Sequence, residues 1–206
     1  MAESRDSARL TVRAASASRS DGLVFARHLD EAQEGWYRMA LGRSAPELIA
    51  GAFASGNHEL SYEFVTIVER DGVPVGSYCA YSGSQHRRFG PNPLDEAAHG
   101  SVRYRAMKRL SSRMLTFIDQ IPERDFYLRS IAVDPDRRGM GIGSVLLERL
   151  TEAGVVAGSE RLALDVAASN KGGRRLYERS GFRVEAESPR FLGLPNTNVF
   201  RMVAEL

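Results

Sequence analysis

Cysteine and lysine are nearly absent from this sequence. One of the 206 residues is a cysteine, Cys79, and two are lysines, Lys108 and Lys171. A single cysteine excludes both a disulfide within the chain and a cluster of thiolate metal ligands. No apolar run approaches the ~18 residues of a membrane-spanning helix, and the polar segment 1–9 lacks the apolar core of a secretory signal. We therefore expect a cytoplasmic protein with no membrane partner.

The chain also lacks a strong excess of charge of either sign. Its 28 Lys and Arg residues nearly balance 26 Asp and Glu residues, which gives a net charge of +2. That value is too small to indicate nucleic-acid binding. The basic residues within 103–113 could form a nucleic-acid face, but a solvated helix face is the better interpretation, and we expect no nucleic-acid partner. No metal-ligand spacing is present among the histidines, so we expect no metal: His28, His58, His86 and His99.

Length and composition indicate one ordinary globular domain. Hydrophobic residues make up 43% of the chain and charged residues 26%, as in typical soluble domains. A length of 206 residues corresponds to about one domain, and no internal repeat or linker divides it. We expect residues 1–9 to be a flexible tail and residues 10–206 to form a single domain.

The hydrophobic pattern changes repeatedly between the strand period and the helix period. Asp71-Gly72 is a strong hairpin signal, and Asp134-Pro135 ends a later strand. The order of elements is a mixed α/β layout around one sheet. The predicted strands are 10–14, 62–70, 73–81, 126–133, 161–168, 182–186 and 198–204, and the predicted helices are 22–41, 45–53, 101–121, 144–154 and 171–179, with 82–100 as a loop.

A glycine-rich segment, Arg138-Gly-Met-Gly-Ile-Gly-Ser144, lies between a predicted strand and a predicted helix. Glycines allow a sharp turn and the close approach of a ligand, and the free N–H groups at a helix N-terminus favour phosphate. The segment predicts a phosphate-binding turn with Arg137 and Arg138 at its rim. A dinucleotide fold needs G-x-G-x-x-G and a Walker A loop needs Gly-Lys-Ser/Thr, and neither pattern is present. Asp165 follows about twenty residues later, as in a dinucleotide fold, but it lies inside a strand.

A second segment, from Asn170 to Phe182, combines with this turn into a recognisable pair of motifs. The pair resembles the GNAT superfamily of acetyl-CoA-dependent N-acetyltransferases, and the close resemblance covers about residues 126–186. The family signature Arg/Gln-x-x-Gly-x-Gly/Ala is met by Arg138, Gly141 and Gly143. The signature Asn-x-x-Ala-x-x-Leu-Tyr-x-x-x-Gly-Phe is met by Asn170, Leu176, Tyr177, Gly181 and Phe182, with Gly173 where alanine is usual.

The resemblance implies a GNAT fold, which is a central mixed, mostly antiparallel sheet of about seven strands flanked by helices. Its fourth and fifth strands, 126–133 and 161–168, would splay apart, and the pantetheine arm of acetyl-CoA would lie between them, a form of β-augmentation. Asn170 would bond this arm or hold its loop. The cofactor-binding residues implied in this way are Ile131, Ala132, Val133, Arg138, Gly139, Met140, Gly141, Ile142, Gly143, Ser144, Asn170, Gly173 and Tyr177.

The implied reaction is direct acyl transfer from acetyl-CoA to an amine. Tyr177 would protonate the departing thiolate, and a backbone N–H near Val133 would stabilise the oxyanion. The family often carries a glutamate on its fourth strand as the base, but residues 126–133 contain neither Asp nor Glu. The remaining candidates for the base are bulk water relayed by a backbone carbonyl and three carboxylates: Glu34, Asp125 and Asp134. We take Tyr177 and Glu34 as the expected catalytic residues.

The sequence does not identify the amine acceptor. A small-molecule amine is the first interpretation, while protein N-termini, lysine side chains and aminoglycosides stay open. The resemblance implies that Trp36, Tyr37, Tyr81 and the loop 82–100 shape the acceptor pocket. A non-catalytic acyl-CoA-binding regulator and a nucleic-acid-binding protein that uses 103–113 are alternative functions, and a homodimer is also left open.

Overall fold

Seven strands form one mixed sheet in the part of the chain that the structure, a computed structural model, describes, residues 10–206. The strands are β1 (Leu10–Ala14), β2 (Val65–Arg70), β3 (Val73–Ser82), β4 (Asp125–Val133), β5 (Arg161–Ala167), β6 (Arg183–Glu187) and β7 (Val199–Glu205). Their order in the sheet is β1-β2-β3-β4-β5-β7-β6, and only the β4–β5 pair is parallel. The predicted mixed, mostly antiparallel sheet is confirmed, whereas the predicted tail 1–9 lies outside the described residues.

Helices cover both faces of the sheet. They are α1 (Arg19–Ala32), α2 (Trp36–Leu41), α3 (Ala45–Phe53), α4 (Gly83–His86), α5 (Pro93–Ala97), α6 (Val102–Leu110), α7 (Ser112–Ile118), α8 (Ile142–Val156) and α9 (Lys171–Arg179). On one face Phe25 and Leu29 of α1 pack in a cluster with Tyr127. On the other face Leu146 of α8 packs with Leu128. Two apolar faces therefore make the sheet the middle layer of the molecule.

The predicted helix 22–41 is two helices with a sharp corner between them. The first, α1, ends at Ala32, and α2 begins at Trp36. Between them, Glu34 and Gly35 have φ values of 51° and 81°, which lie in the left-handed region that ends a helix. Apolar residues continue at helical spacing across the corner, so the hydrophobic pattern alone gives no sign of it.

The segment between β3 and β4 is more helical than predicted. The predicted loop 82–100 contains α4 and α5, and the predicted helix 101–121 is divided into α6 and α7. Side chains of Ser82, Asn92 and Ser101 start three of these helices by accepting a backbone N–H from two or three residues ahead. Such caps are visible in a sequence, but the Gly, Ser and Pro content of 82–100 favoured a loop.

Strand β4 carries a bulge at Arg129. The register with β3 skips this residue, since Ser130 and Leu128 pair with consecutive residues of β3. On its other side, β4 pairs with β5 over Asp125–Leu128, and beyond that point the two parallel strands separate. An inserted residue bends a strand, which explains why the separation begins at the bulge. The predicted splaying of the fourth and fifth strands is therefore confirmed.

Candidate active site

A cleft of about 950 Å³ lies where β4 and β5 separate. Its walls come from the second halves of these two strands, the end of α1, the turn before α8 and the start of α9. Diverging strands leave main-chain groups that an extended ligand can pair with. Most of the cofactor-binding residues expected from the sequence line this cleft: Ile131, Ala132, Val133, Arg138, Gly139, Gly141, Ile142, Gly143, Ser144, Asn170, Gly173 and Tyr177.

The turn before α8 presents backbone N–H groups at one end of the cleft. Gly139 and Gly141 have φ values of 76° and 81°, a conformation that side chains disfavour, and α8 begins immediately after them. Within residues 10–206, the N–H groups of residues 139–143 donate to no protein acceptor. Unpaired N–H groups at a helix start, together with the helix dipole, form an anion site.

Met140 differs from the other expected residues of this turn. Its side chain is exposed, and its Sδ accepts a hydrogen bond of 3.2 Å from Nη1 of Arg70. Met140 is not among the residues that line the cleft. If it contributes to a ligand site, it does so through its main chain, because its side chain is turned towards β2.

Arg138 connects the turn to β4 and α1. Its Nε donates to the carbonyl of Val133 at 3.1 Å, and its Nη2 forms an ion pair of 2.7 Å with Glu31. Both side chains of this ion pair are about half exposed, and exposed ion pairs add little stability. The guanidinium can therefore exchange Glu31 for an anionic ligand at small cost.

The free edge of β4 faces the cleft at alternate residues. The N–H of Asp134 donates to the carbonyl of Val75 on β3 at 2.9 Å. Main-chain groups of successive residues in a strand point to opposite edges. Those of Ile131 and Val133 therefore point towards the β5 side, while those of Ala132 point towards β3. Of the three β4 residues expected to bind acetyl-CoA through their main chain, Ile131 and Val133 thus face the cleft and Ala132 does not.

Asn170 starts α9 as its cap. Its Oδ1 accepts a hydrogen bond of 2.8 Å from the N–H of Gly173. A Cβ at 173 would lie 2.9 Å from the side-chain amide of Asn170, so an alanine there would require that side chain to shift. Of the two roles expected for Asn170, its contacts correspond to holding the loop.

Tyr177 lies on the buried face of α9. Its ring packs against Phe182, with ring centroids 5.8 Å apart. Burial raises the pKa of the Tyr177 phenol to about 12, so the hydroxyl keeps its proton at neutral pH. That hydroxyl has no hydrogen-bond partner within residues 10–206, and the residue lines the cleft. A protonated hydroxyl with no protein partner is available to donate to a ligand.

Two of the three candidate bases are engaged elsewhere. Asp125 is fully buried, and its Oδ1 lies 2.7 Å from Nε of Arg161. Asp134 lies 3.1 Å from Nε2 of the buried His28. Neither residue lines the cleft, so the structure does not bring either of them together with Tyr177.

Glu34 is the expected carboxylate that does line the cleft. It sits at the corner between α1 and α2, and its two carboxylate oxygens lie 3.0 and 2.9 Å from Oγ of Ser169, which donates to them. Ser169 belongs to the turn between β5 and α9. Glu34 and Tyr177 are therefore brought to one cleft from distant parts of the chain.

Comparison with known families agrees with this geometry. The model of the acetyltransferase (GNAT) family matches residues 26–182, a range that holds the glycine turn, both separating strands and α9. The chain belongs to the acetyltransferase (GNAT) family. The family resemblance seen in the sequence is thereby confirmed.

Relatives of this GNAT chain include enzymes named for a ribosomal protein. The chain is 42% identical over 71 residues to the [ribosomal protein bS18]-alanine N-acetyltransferase of Salmonella typhimurium. This match covers 34% of the chain and 48% of the relative. The enzyme of the same name from Escherichia coli K12 is 40% identical over 73 residues, with 35% and 49% covered. The chain thus spans about half the length of the curated relatives it matches.

Solved structures resemble the GNAT chain over nearly all of its length. An N-acetyltransferase from Staphylococcus aureus Mu50 has a TM-score of 0.68 at 16% identity, covering 94% of this chain and 100% of that one. The ribosomal-protein-S18-alanine N-acetyltransferase from Escherichia coli has a TM-score of 0.55 at 18% identity, covering 96% and 94%. Likeness at these identities shows the fold alone.

The aromatic residues expected at the acceptor pocket lie in the core instead. Tyr37 and Tyr81 are buried in the cluster under α1, and Trp36 packs against that cluster. None of the three lines the cleft of this GNAT chain, so their expected role in shaping the acceptor pocket stays a prediction. The corner at Glu34 and Gly35 redirects α2, whose apolar side then packs on the core.

Arg129 is a cleft residue that the sequence pattern did not single out. Its side chain is largely buried and lines the cleft beside the bulge. A usable signal was present, because Arg129 is the one charged residue within the predicted strand 126–133. A charge in a buried strand requires a partner, so an arginine at this position indicates an ion pair or a ligand site.

Two side chains of the basic segment 103–113 contact other parts of the fold, and the described residues contain neither a metal-binding cluster nor a membrane-spanning helix. In the basic segment 103–113, Nε of Arg103 donates to the carbonyl of Ala40 at 3.3 Å, and Lys108 pairs with Asp95 at 2.7 Å. No group of three or more His, Cys, Asp or Glu residues within 10–206 could hold a metal ion. No helix in that range is long and apolar enough to cross a membrane.

Proposed function

We propose that this chain transfers an acetyl group from acetyl-CoA to a primary amine by direct attack within a ternary complex. The observation that carries the proposal is the cleft where β4 and β5 separate, with unpaired N–H groups at one end and Tyr177 in its wall. Membership of the acetyltransferase (GNAT) family supports the same reaction.

The residues of the cleft fit acetyl-CoA as the co-substrate. The unpaired N–H groups of residues 139–143 suit a pyrophosphate, and Arg138 adds a positive charge beside them. The cleft-facing main-chain groups of Ile131 and Val133 suit the amides of a pantetheine arm. When bound, acetyl-CoA supplies an acyl group that is already activated as a thioester.

Two residues of the cleft have the chemistry that the transfer needs. As the amine nitrogen bonds to the acyl carbon, the carbon–sulfur bond breaks and Tyr177 gives its proton to the sulfur. The amine must also lose one proton, and Glu34 or a water at the cleft carries it away. Glu34 is exposed, which keeps it in contact with bulk water. We therefore assign Glu34 to orienting the amine rather than to removing the proton alone.

For the acceptor, we propose a small-molecule primary amine. A protein N-terminal amine is the second candidate, because the matched relatives are named as ribosomal-protein alanine N-acetyltransferases. The two candidates differ in size and in the group that follows the amine, so one assay can distinguish them.

The test combines acetyl-CoA with a panel of amines and measures free CoA with a thiol reporter. The panel holds amino acids, polyamines, aminoglycosides, lysine peptides and peptides with N-terminal alanine. We expect faster CoA release with a small amine than with any peptide. A rise in melting temperature with acetyl-CoA, but no release with any amine, would indicate a non-catalytic acyl-CoA-binding protein. Absence of both effects would contradict the acetyl-CoA site itself.

A further inference from the structure

Arg129 is a buried cation whose hydrogen-bonding capacity is mostly unused. Its side chain is 11% exposed, and a guanidinium carries five N–H donors. Nη2 donates to the hydroxyl of Tyr37 at 3.3 Å. Nε is buried and has no hydrogen-bond partner within residues 10–206. The closest approach to Glu59 is 3.8 Å, between Nε and Oε2, which is too long for a hydrogen bond.

The neighbours of Arg129 do not supply the missing acceptors. The other carboxylate oxygen of Glu59 already accepts a hydrogen bond of 3.0 Å from Asn92. Burial raises the pKa of Tyr81 and Tyr127 well above the usual value, so both phenols are neutral. Native proteins rarely leave buried donors unsatisfied, because each one costs free energy. The position therefore calls for acceptor atoms from outside the chain.

The location of Arg129 separates it from the phosphate turn. It lies at the bulge, where the cleft begins, and it lines the cleft wall. A strand rises ~3.3 Å per residue, so Val133 lies about 13 Å further along β4, and the glycine turn follows Val133. An anion bound by Arg129 is therefore distinct from the pyrophosphate, and it belongs to the other partner of the reaction.

Building on the proposed acetyl transfer, we propose that Arg129 binds a carboxylate of the acceptor. The substrate is then an amine that also carries a carboxylate, such as an α-amino acid. A guanidinium matches a carboxylate in shape and can donate two parallel hydrogen bonds. The bond to Tyr37 holds the guanidinium in place at the start of the cleft. Arg129 is thus a specificity-determining residue of the acceptor site.

The experiment compares each of the protein amino acids with its own α-carboxamide as the acceptor, with kcat/KM expressed per concentration of neutral amine, because the carboxamide lowers the pKa of the amine. The wild-type chain should use the best amino acid with a kcat/KM at least ~10² above that of its amide, because a site built for hydrogen bonds rejects an analogue that lacks the partner. In R129Q this ratio should fall close to one, through loss of activity towards the acid. The rise in melting temperature with CoA should stay unchanged.

Matched variants distinguish binding from a structural role. E59Q removes the charged neighbour and should keep the preference for the acid, and R129K should keep part of it. If R129Q and E59Q lower both acceptors equally, Arg129 only supports the fold and the inference is overturned. If R129Q does not fold, the wild-type ratio and R129K decide, and a wild-type ratio near one overturns the inference. Transfer to peptides with N-terminal alanine alone overturns it but leaves acetyl transfer intact, whereas no transfer to any amine overturns both.

Discussion

The hydroxyl of Tyr177 combines a high pKa with a place in the cleft wall. Replacement by phenylalanine keeps the contact with Phe182 and removes only the proton donor. We expect Y177F to lower kcat by ~10²–10⁴ and to leave CoA affinity nearly unchanged, as measured by steady-state kinetics and calorimetry. Y78F is the control, since Tyr78 is a buried tyrosine that does not line the cleft. A Y177F enzyme with wild-type kcat, where chemistry limits the rate, would contradict the role.

Substitution of Glu34 tests whether the reaction has a dedicated base. Asp125 is paired with Arg161 and Asp134 with Arg27, and no expected carboxylate other than Glu34 lines the cleft. We expect kcat/KM to rise with pH as the neutral form of the amine appears, and E34Q to lose less than ~10²-fold in kcat. The amide can still accept from Ser169, so the corner keeps its shape. A larger loss in E34Q, together with loss of the acidic limb of the pH profile, would show that Glu34 is the base.

At the scale of elements, the start of α8 offers a clean probe of the phosphate turn. Gly141 has a positive φ of 81°, so a side chain there adds backbone strain as well as bulk. Gly143 has no positive φ, and a Cβ at that position meets only Leu176 at 3.8 Å, an ordinary contact. A small side chain at Gly143 is therefore tolerated by the fold, in agreement with the family signature, which has Gly or Ala at this position.

We expect G143A to fold with unchanged stability and to bind CoA as the wild type does, and G141E to bind CoA at least ~10-fold more weakly because it adds a negative charge to the anion site. A tenfold loss of affinity removes about 1.4 kcal/mol from ligand stabilisation at saturating CoA, which appears as a smaller rise in melting temperature. G51A is the control, because a Cβ at Gly51 meets no atom within 4 Å and Gly51 lies in α3, outside the cleft. A full CoA-induced rise in G141E would exclude the turn as the phosphate site.

At the scale of the whole molecule, two buried histidines make stability depend on pH. Burial lowers the pKa of His28 and of His58 below the ordinary value of 6.5. When the chain unfolds, each imidazole regains an ordinary pKa and takes up a proton near pH 6.5. The unfolded state then binds more protons than the folded state. The free energy of unfolding should therefore fall as the pH drops below about 7, by up to ~1.4 kcal/mol per pH unit for each proton.

His58 shows why the folded state resists protonation. Its Nε2 donates to the carbonyl of Ala52 at 2.9 Å, and its Nδ1 accepts the N–H of Leu60 at 3.2 Å. A proton on Nδ1 of His58 would point at the N–H of Leu60, and neither of these two donors would then have an acceptor. Urea unfolding between pH 8 and pH 5 checks the effect: H58Q should lower stability at every pH but flatten its pH dependence. H99Q, at an exposed histidine, should leave the slope as in wild type, and a wild-type midpoint independent of pH would contradict the prediction.

Local sequence patterns were enough to predict the sheet, most of its strands and the motif of the phosphate turn. Strands such as β4 and β5 were predictable within a residue or two because alternation and turn residues act over a few neighbouring positions. The glycine turn and the cap at Asn170 are local for the same reason, since a backbone conformation or a cap depends on residues close in the chain. Family membership followed from these local motifs.

Which side chains contact each other could be seen only in the folded structure. Asp125 pairs with Arg161 across 36 positions, and His28 reaches Asp134 across 106, so both candidate bases are engaged by contacts that no local pattern contains. Hydrophobic periodicity reports that a face is buried but not what lies opposite, which is why the corner at Glu34 was not predicted. The unpaired Nε of the Arg129 guanidinium is likewise a property of the fold, because it depends on the separation of β4 and β5 beside it. Pairing, burial and unmet hydrogen bonds are properties of the assembled fold, because they depend on residues far apart in the sequence.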